Sequence, residues 1–345
     1  MHLAVVAEQL RAPVPGGTGR YTAEMLNALR STAQPNDRVA DWYAPGGARL
    51  DRVRQPLLAE LWRRGLGPTP RADCVFAPTL FVPPRRSHPV VATIHDAVPW
   101  THPETLTARG ARWHRMMAER VADTADVILT PTAAVARELA AYISLPRVEV
   151  VGEGVNADVA AVPADADERA RRLKLPESFA LAVGTLEPRK GLDVAAAALG
   201  DKNWPGLPLL IAGPGGWGDA LPGVTDRASI RLLGRLSDAD LATVYSRADV
   251  LVMASRAEGF GLPVLEAMTH GLPVVISDAP ALVEVAGGAA VVTPRGDAAE
   301  LARGVGRALS EREDWSRAGL VRSKDFSWEA AAVQLWEICR DLVPT

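Results

Sequence analysis

An alternation that runs through this chain twice constrains its fold more than any other feature. Short β-rich runs, LAVVAE, PVVATIHD, DVILT and VEVVGEGV, alternate with helix-like stretches such as 21–30 and 109–123. That is the pattern of a parallel sheet covered by helices. The polar segment AVPADADERARRLKLPES, punctuated by Pro163 and Pro176, interrupts it. Beyond the interruption FALAVGTL, LPLLIAG, IRLLG, DVLVMAS, PVVIS and AAVVTP restart the same alternation. The architecture repeats while the sequence does not. A chain of 345 residues, 48% of them hydrophobic, is too long for one small core. The reading is therefore α/β, with two Rossmann-like lobes at 1–165 and 166–325. The remainder, 326–345, contains FSWEAAAVQLWEICRDLV, whose apolar residues fall at helical spacing and predict a closing helix.

Several classes drop out on composition. No apolar run approaches the roughly 20 residues of a spanning helix, and MHLAVVAEQL reads as a first strand with no basic region ahead of it. Cys74 and Cys339 lie far apart, so neither a disulfide framework nor a thiolate metal site is expected, which suits a reducing cytoplasm. The net charge is −3 and neither half carries a large basic excess, which argues against a nucleic-acid partner.

The segment SRAEGFGLPVLEAMTHG, residues 255–271, points to chemistry. Gly259 and Gly261 let backbone amides approach a ligand, and Pro263 suits the first turn of a helix beginning near Leu262. The free N–H groups at such a helix start favour an anion, of which a diphosphate is the natural candidate. Glu258 precedes the turn and Glu266 lies about one helical turn inside, at roughly 1.5 Å rise per residue. Carboxylates accept well from paired sugar hydroxyls, so one can hold a transferred sugar and the other a ribose.

Three further segments fit a nucleotide diphosphate sugar. In VGTLEPRKGLD a strand ends at Gly184, and Arg189 and Lys190 stand just before a helix. Two cations there oppose the helix dipole unless an anion joins them, and they could neutralise a leaving diphosphate. PVPGGTGRYTAEML is a Gly-rich loop between the first strand and its helix, where amides could close over phosphates. His95, in VVATIHDAVPW, sits at the end of an apolar strand, where α/β sheets expose residues to a crevice.

Taken together, these segments resemble glycosyltransferase family 4, the large retaining group whose signature is EGFGLPxLEAMxxGxPVV. The GG loop, TIHD, GTLEPRKG, EGFGLPVLEAM and the terminal FSWE stretch occur here in the family's order. The resemblance implies the GT-B fold, two lobes with a cleft between them, and metal-independent transfer with retention, without a cofactor. It assigns catalytic roles to His95, Arg189, Lys190 and Glu258. Donor binding falls to Gly16, Gly17, Asp238, Gly259, Phe260, Gly261, Leu262 and Glu266. Thr185 stands where many relatives carry an arginine, so one phosphate contact is missing or supplied differently. GTLEPRKG and TIHD resemble the mannosyltransferase-rich branch, which implies GDP-mannose as donor, with Asp238 accepting from the guanine edge. A UDP-sugar donor is the alternative within the family. The acceptor would be a glycan, a lipid-linked molecule or a small molecule. Arg109, Arg112, Trp113 and Arg115 could give a basic aromatic helix face for an anionic lipid at the inner face of the membrane, although a solvated face accounts for the same composition.

Rival readings rest on thinner features. Gly213, Gly215 and Gly218 have dinucleotide spacing, but Pro222 and Gly223 interrupt the long helix that such a fingerprint needs. Asp165-Ala166-Asp167 and Asp238-Ala239-Asp240 mimic a metal-binding Asp-x-Asp. The first falls in the interruption, and the second falls where Ser237 or Asp238 would cap a helix. A sugar-nucleotide epimerase shares the architecture, and a non-catalytic sugar-nucleotide-binding subunit would keep the fold without turnover. The full set of His95, Arg189, Lys190, Glu258 and Glu266 favours the transferase.

Overall fold

The computed structural model describes residues 1–12, 16–44, 51–84, 88–216 and 229–343. Its two compact units are Met1–Gly154 with Ser327–Thr345, and Val155–Phe326.

In the first unit, β1 (His2–Val6), β2 (Arg38–Trp42), β3 (Cys74–Ala77), β4 (Val90–Thr93), β5 (Val127–Thr130) and β6 (Arg147–Val150) form one sheet in the order β2-β1-β3-β4-β5-β6. Every pairing is parallel. β3, β4 and β5 are buried at every residue, as expected of strands covered on both faces, and this is why they read as apolar runs rather than alternating ones. Val75, Val90, Ile128 and Trp62 belong to the core on one side.

The second unit repeats the plan. β7 (Ala180–Val183), β8 (Leu209–Ala212), β9 (Ile230–Gly234), β10 (Val250–Met253), β11 (Val274–Ser277) and β12 (Val291–Thr293) run parallel in the order β12-β11-β10-β7-β8-β9. Here β7 comes first in sequence but lies centrally, with β8 on one side and β10 on the other. Chain direction across the sheet reverses at that point, and loops leaving adjacent strands there splay apart into a crevice. One core packs Leu181, Leu251, Val264 and Ile276, and a second packs Ala182, Ile211, Val252 and Leu301.

The units divide after Gly154 rather than at 165. The reason is packing: Val159 and Val155 join the second unit's core, and His270 Nε2 lies 2.7 Å from the Val159 carbonyl oxygen. Part of the polar interruption is itself helical, over Ala166–Arg172. The terminal helix Trp328–Leu342, N-capped by Ser327, belongs to the first unit and packs along the helix Gly16–Ser31. There Trp336 donates its Nε1–H to the Leu29 carbonyl at 3.2 Å, and Arg340 pairs with Asp37 at 2.7 Å. That packing also brings Cys339 beside Cys74. Both thiols are free and buried, and the neighbouring Cys74 and burial push the Cys339 thiol up.

Candidate active site

The loops that follow β7 and β10 meet because those strands are neighbours, with Val250 opposite Ala180 and Leu251 opposite Leu181. After β7 the chain makes a short turn, Pro188–Lys190, and then Gly191 with φ 62 before the helix Leu192–Ala198. A Cβ at Gly191 would sit 2.0 Å from the Ala254 carbonyl oxygen, so only glycine lets this turn press against the end of β10. Main chain and side chain then sew the loops together. The Arg256 amide donates to the Arg189 carbonyl at 2.8 Å, and Arg256 Nη1 donates to the Pro188 carbonyl at 2.7 Å. The same guanidinium takes both oxygens of Asp193, at 2.8 and 2.6 Å.

This closure concentrates charge. Lys190 Nζ lies 2.7 Å from Glu258 Oε1, Arg189 Nη1 lies 2.8 Å from Oε2, and Ser255 donates its hydroxyl to Oε1 at 2.7 Å. Arg189 also pairs with Glu187 at 2.7 Å and donates to the Ala257 carbonyl at 3.1 Å. Burial alone would push the Glu258 carboxyl up. The Lys190 and Arg189 charges, with hydrogen bonds from Lys190 and Ser255, outweigh it and hold the carboxyl down at about 2. Two cations thus meet two carboxylates, and the four side chains sum to zero charge before any ligand arrives. Arg189 spends its fork on Glu187, Ala257 and Glu258, whereas the Lys190 ammonium has three N–H donors and gives one to Glu258. Lys190 is the better placed of the two to turn a donor towards an incoming diphosphate.

The helix Leu262–Thr269 begins as its sequence suggests, with Gly261 at φ 105 before it. Glu266 lies inside that helix, 3% exposed, and accepts the Tyr245 hydroxyl at 2.7 Å. Tyr245 in turn stacks on His270 with centroids 5.7 Å apart. Phe260 is turned inward, 4% exposed, against Leu265, Val285 and the edge of Phe326. Its ring is a core element, so any contact it makes with a ligand is through its backbone. Gly259 and Leu262 complete the turn beside Glu258.

Asp238 opens the helix Asp238–Arg247, but Ser237 is the cap, accepting from the Asp240 amide at 3.2 Å. Asp240 is paired with Arg169 and Arg172, and in the other Asp-x-Asp, Asp165 pairs with Arg169 and Asp167 with Arg247. After β8, Gly213 and Gly216 serve close backbone approach, whereas a Cβ on Gly215 would meet nothing within 4 Å. Leu186 and Gly215 form a parallel bridge, and a Cβ at Gly213 would lie 1.9 Å from the Gly184 carbonyl oxygen. Gly218, Pro222 and Gly223 lie outside the described residues.

The other expected residues belong to the first unit. Gly16 and Gly17 are exposed and are the first residues of the helix Gly16–Ser31 itself, with nothing within 4 Å of a Cβ built on either. Their amides are therefore among the first-turn donors that have no partner within the helix itself. His95 follows β4, with Nε2 2.8 Å from the Pro78 carbonyl oxygen and Nδ1 3.8 Å from Glu153 Oε1. Of the basic aromatic face, Arg109 and Arg112 are exposed, while Arg115 donates to the Pro99 carbonyl at 2.7 Å and Trp113 tilts against Phe81. Among the described residues no helix is long and apolar enough to cross a membrane.

Sequence reasoning missed Glu187, Ser255, Asp193, Arg256, Tyr245 and Glu153. The first four stand within GTLEPRKGLD and SRAEGFG, where cations and carboxylates occur in equal number and so can pair with one another. Tyr245 and Glu153 carry no such local signal, because their partners are 21 and 58 positions away.

Comparison with known proteins agrees with this geometry. Residues 15–159 match the family model "Glycosyltransferase Family 4", and residues 177–311 match "Glycosyl transferases group 1". The chain is 32% identical to O-antigen chain mannosyltransferase B of Escherichia coli, over 97% of this chain and 98% of that protein. It is 31% identical over 217 residues to the serotype-specific mannosyltransferase WbdA of Escherichia coli, covering 56% of this chain and only 26% of that longer protein. The sucrose-phosphate synthase of Thermosynechococcus elongatus has the same fold, with a TM-score of 0.74 at 21% identity, covering 99% of this chain and 98% of that one. Fold, motif order and relatives agree: the chain belongs to glycosyltransferase family 4 and is a glycosyltransferase of GT-B architecture.

Proposed function

We propose that this glycosyltransferase is a mannosyltransferase that takes mannose from GDP-mannose and transfers it, with retention and without a metal ion, to a glycan or lipid-linked acceptor. The observation that carries the reading is the 32% identity, sustained over 97% of the chain, to an O-antigen chain mannosyltransferase. In this proposal Glu258 receives hydroxyls of the transferred sugar and Glu266 holds the ribose. Lys190 meets the leaving diphosphate together with amides of the turn 259–262, while Arg189 keeps Glu258 and Glu187 in place. The metal is dispensable in this proposal because the Lys190 N–H donors not given to Glu258, with oriented amides, do for the diphosphate what a divalent ion would otherwise do. His95, Gly16 and Gly17 enter the proposal through the family pattern.

Asp238 supports the guanine assignment. Ser237 caps the helix, and in this proposal the Asp238 carboxylate at the helix start accepts from the guanine N1–H and amino group. Uracil lacks the amine and would leave such an acceptor partly unpaired, at a cost of about 1–3 kcal/mol. Calorimetric titration with GDP and with UDP tests the reading. Tighter GDP binding that weakens in Asp238→Asn is expected. UDP binding equal to or tighter than GDP would replace the donor with a UDP-sugar.

A further inference from the structure

Both ring nitrogens of His95 face acceptors. Nε2 lies 2.8 Å from the Pro78 carbonyl oxygen, and a carbonyl has no proton to give, so Nε2 carries one. Nδ1 lies 3.8 Å from Oε1 of Glu153, which is 6% exposed. Among the described residues, no lysine or arginine is ion-paired with Glu153. A carboxylate so buried needs a counter-charge, and a neutral ring would turn a lone pair towards it instead. A Glu153 carboxylic acid donating to Nδ1 would require a hydrogen bond of about 2.7 Å. At 3.8 Å the contact suits an ion pair and not that hydrogen bond.

We propose that Glu153 is a positioning residue that keeps His95 as an imidazolium, so that this side chain offers fixed positive charge rather than a ring lone pair. Among the described residues, the charged and titratable groups around the ring are Glu153, Asp96 and Tyr21. The Tyr21 ring stands at 85° to the imidazole with centroids 4.6 Å apart, and its hydroxyl lies 3.2 Å from Thr93 Oγ1. Burial works against the charged ring, but Glu153, the Pro78 carbonyl and Asp96 together raise its pKa above the ordinary 6.5. Because the folded value is the higher one, the pair's contribution to stability is complete below pH 6.5 and is lost as pH rises through the folded value. A ring so engaged has no lone pair with which to act as a general base. Within the glycosyltransferase reading, on which this role rests, His95 acts on the reaction as a charge.

The test is a pH titration of the ¹⁵N-labelled full chain by histidine ring nitrogen NMR, with the His95 signals assigned by their loss in His95→Asn. The parent's His95 should titrate with a midpoint above that of free histidine, with both ring nitrogens protonated below that midpoint. The midpoint should fall in Glu153→Gln and recover in Glu153→Asp. A parent midpoint at or below that of free histidine, or a midpoint that Glu153→Gln leaves unchanged, overturns the proposal. The parent titration decides the charge state even where a variant fails to fold. None of these readouts needs transfer, so a failure of the donor assignment would remain distinguishable.

Discussion

Glu258 is held by two cations and a hydroxyl, and this decides what its substitution does. Glu258→Gln keeps the shape but leaves Arg189 and Lys190 with one negative partner, Glu187, so the group changes from neutral to a net positive charge. GDP should then bind as tightly as in the parent, or more tightly, while transfer falls by about 10²–10³ because the sugar loses its acceptor. Steady-state kinetics beside GDP calorimetry would show it, and parent-like turnover would contradict the role. The same carboxylate is a pH-dependent element of stability. Its folded value is depressed to about 2 from 4.5, so the stabilisation is present above pH 4.5 and is lost as pH falls towards 2. At full strength it is on the order of 3 kcal/mol. Denaturant unfolding across that range should show a steeper loss for the parent than for Glu258→Gln, and equal slopes would show the pair to be energetically silent.

At the scale of elements, the site is a consequence of strand order. Placing β7 between β8 and β10 brings the loops 184–191 and 254–261 together, and Arg256 fixes their separation through Asp193 and the Pro188 carbonyl. Arg256→Ala should raise KM for the donor and lower kcat, with kcat/KM reduced by about tenfold or more, because small displacements of reacting groups are costly. Arg256→Lys should restore only part of this, since an ammonium cannot hold both Asp193 oxygens as a planar fork does. Parent-like kinetics in Arg256→Ala would show the loops to be set by their backbone alone. The strands were legible in the sequence because parallel strands buried on both faces are continuous apolar runs. The turn at 259–262 was legible because glycine and proline mark it. The charge pairing was not, since nothing local says whether Arg189 faces a ligand or Glu187 and Glu258. For the same reason Phe260 looked like a ligand residue but its ring is core, and of the two cap candidates, Ser237 and Asp238, it is Ser237 that caps.

At the scale of the whole molecule, each of two similar α/β units carries a titratable cluster of candidate site residues on the segments that follow its strands. In the first unit it is His95 with Glu153, and in the second it is Arg189 and Lys190 with Glu187 and Glu258. The unit boundary at Gly154 was not legible as such, because the polar stretch that follows looks like a linker while Val155 and Val159 pack in the second core. The two cysteines, distant in sequence, are neighbours only because the last helix returns to the first unit. In the proposed function the chain's own cations, and no metal ion, carry the transfer of sugar from a nucleotide diphosphate. The most direct measurement is consumption of GDP-mannose, beside UDP-sugars, by the purified full chain in excess EDTA, for the parent and for Lys190→Ala. The parent should consume GDP-mannose undiminished by chelator. Lys190→Ala should lose about 2–4 kcal/mol of transition-state stabilisation, roughly 30- to 1000-fold in rate. Loss of parent activity in EDTA that added metal restores, or consumption by Lys190→Ala at the parent rate, would contradict it.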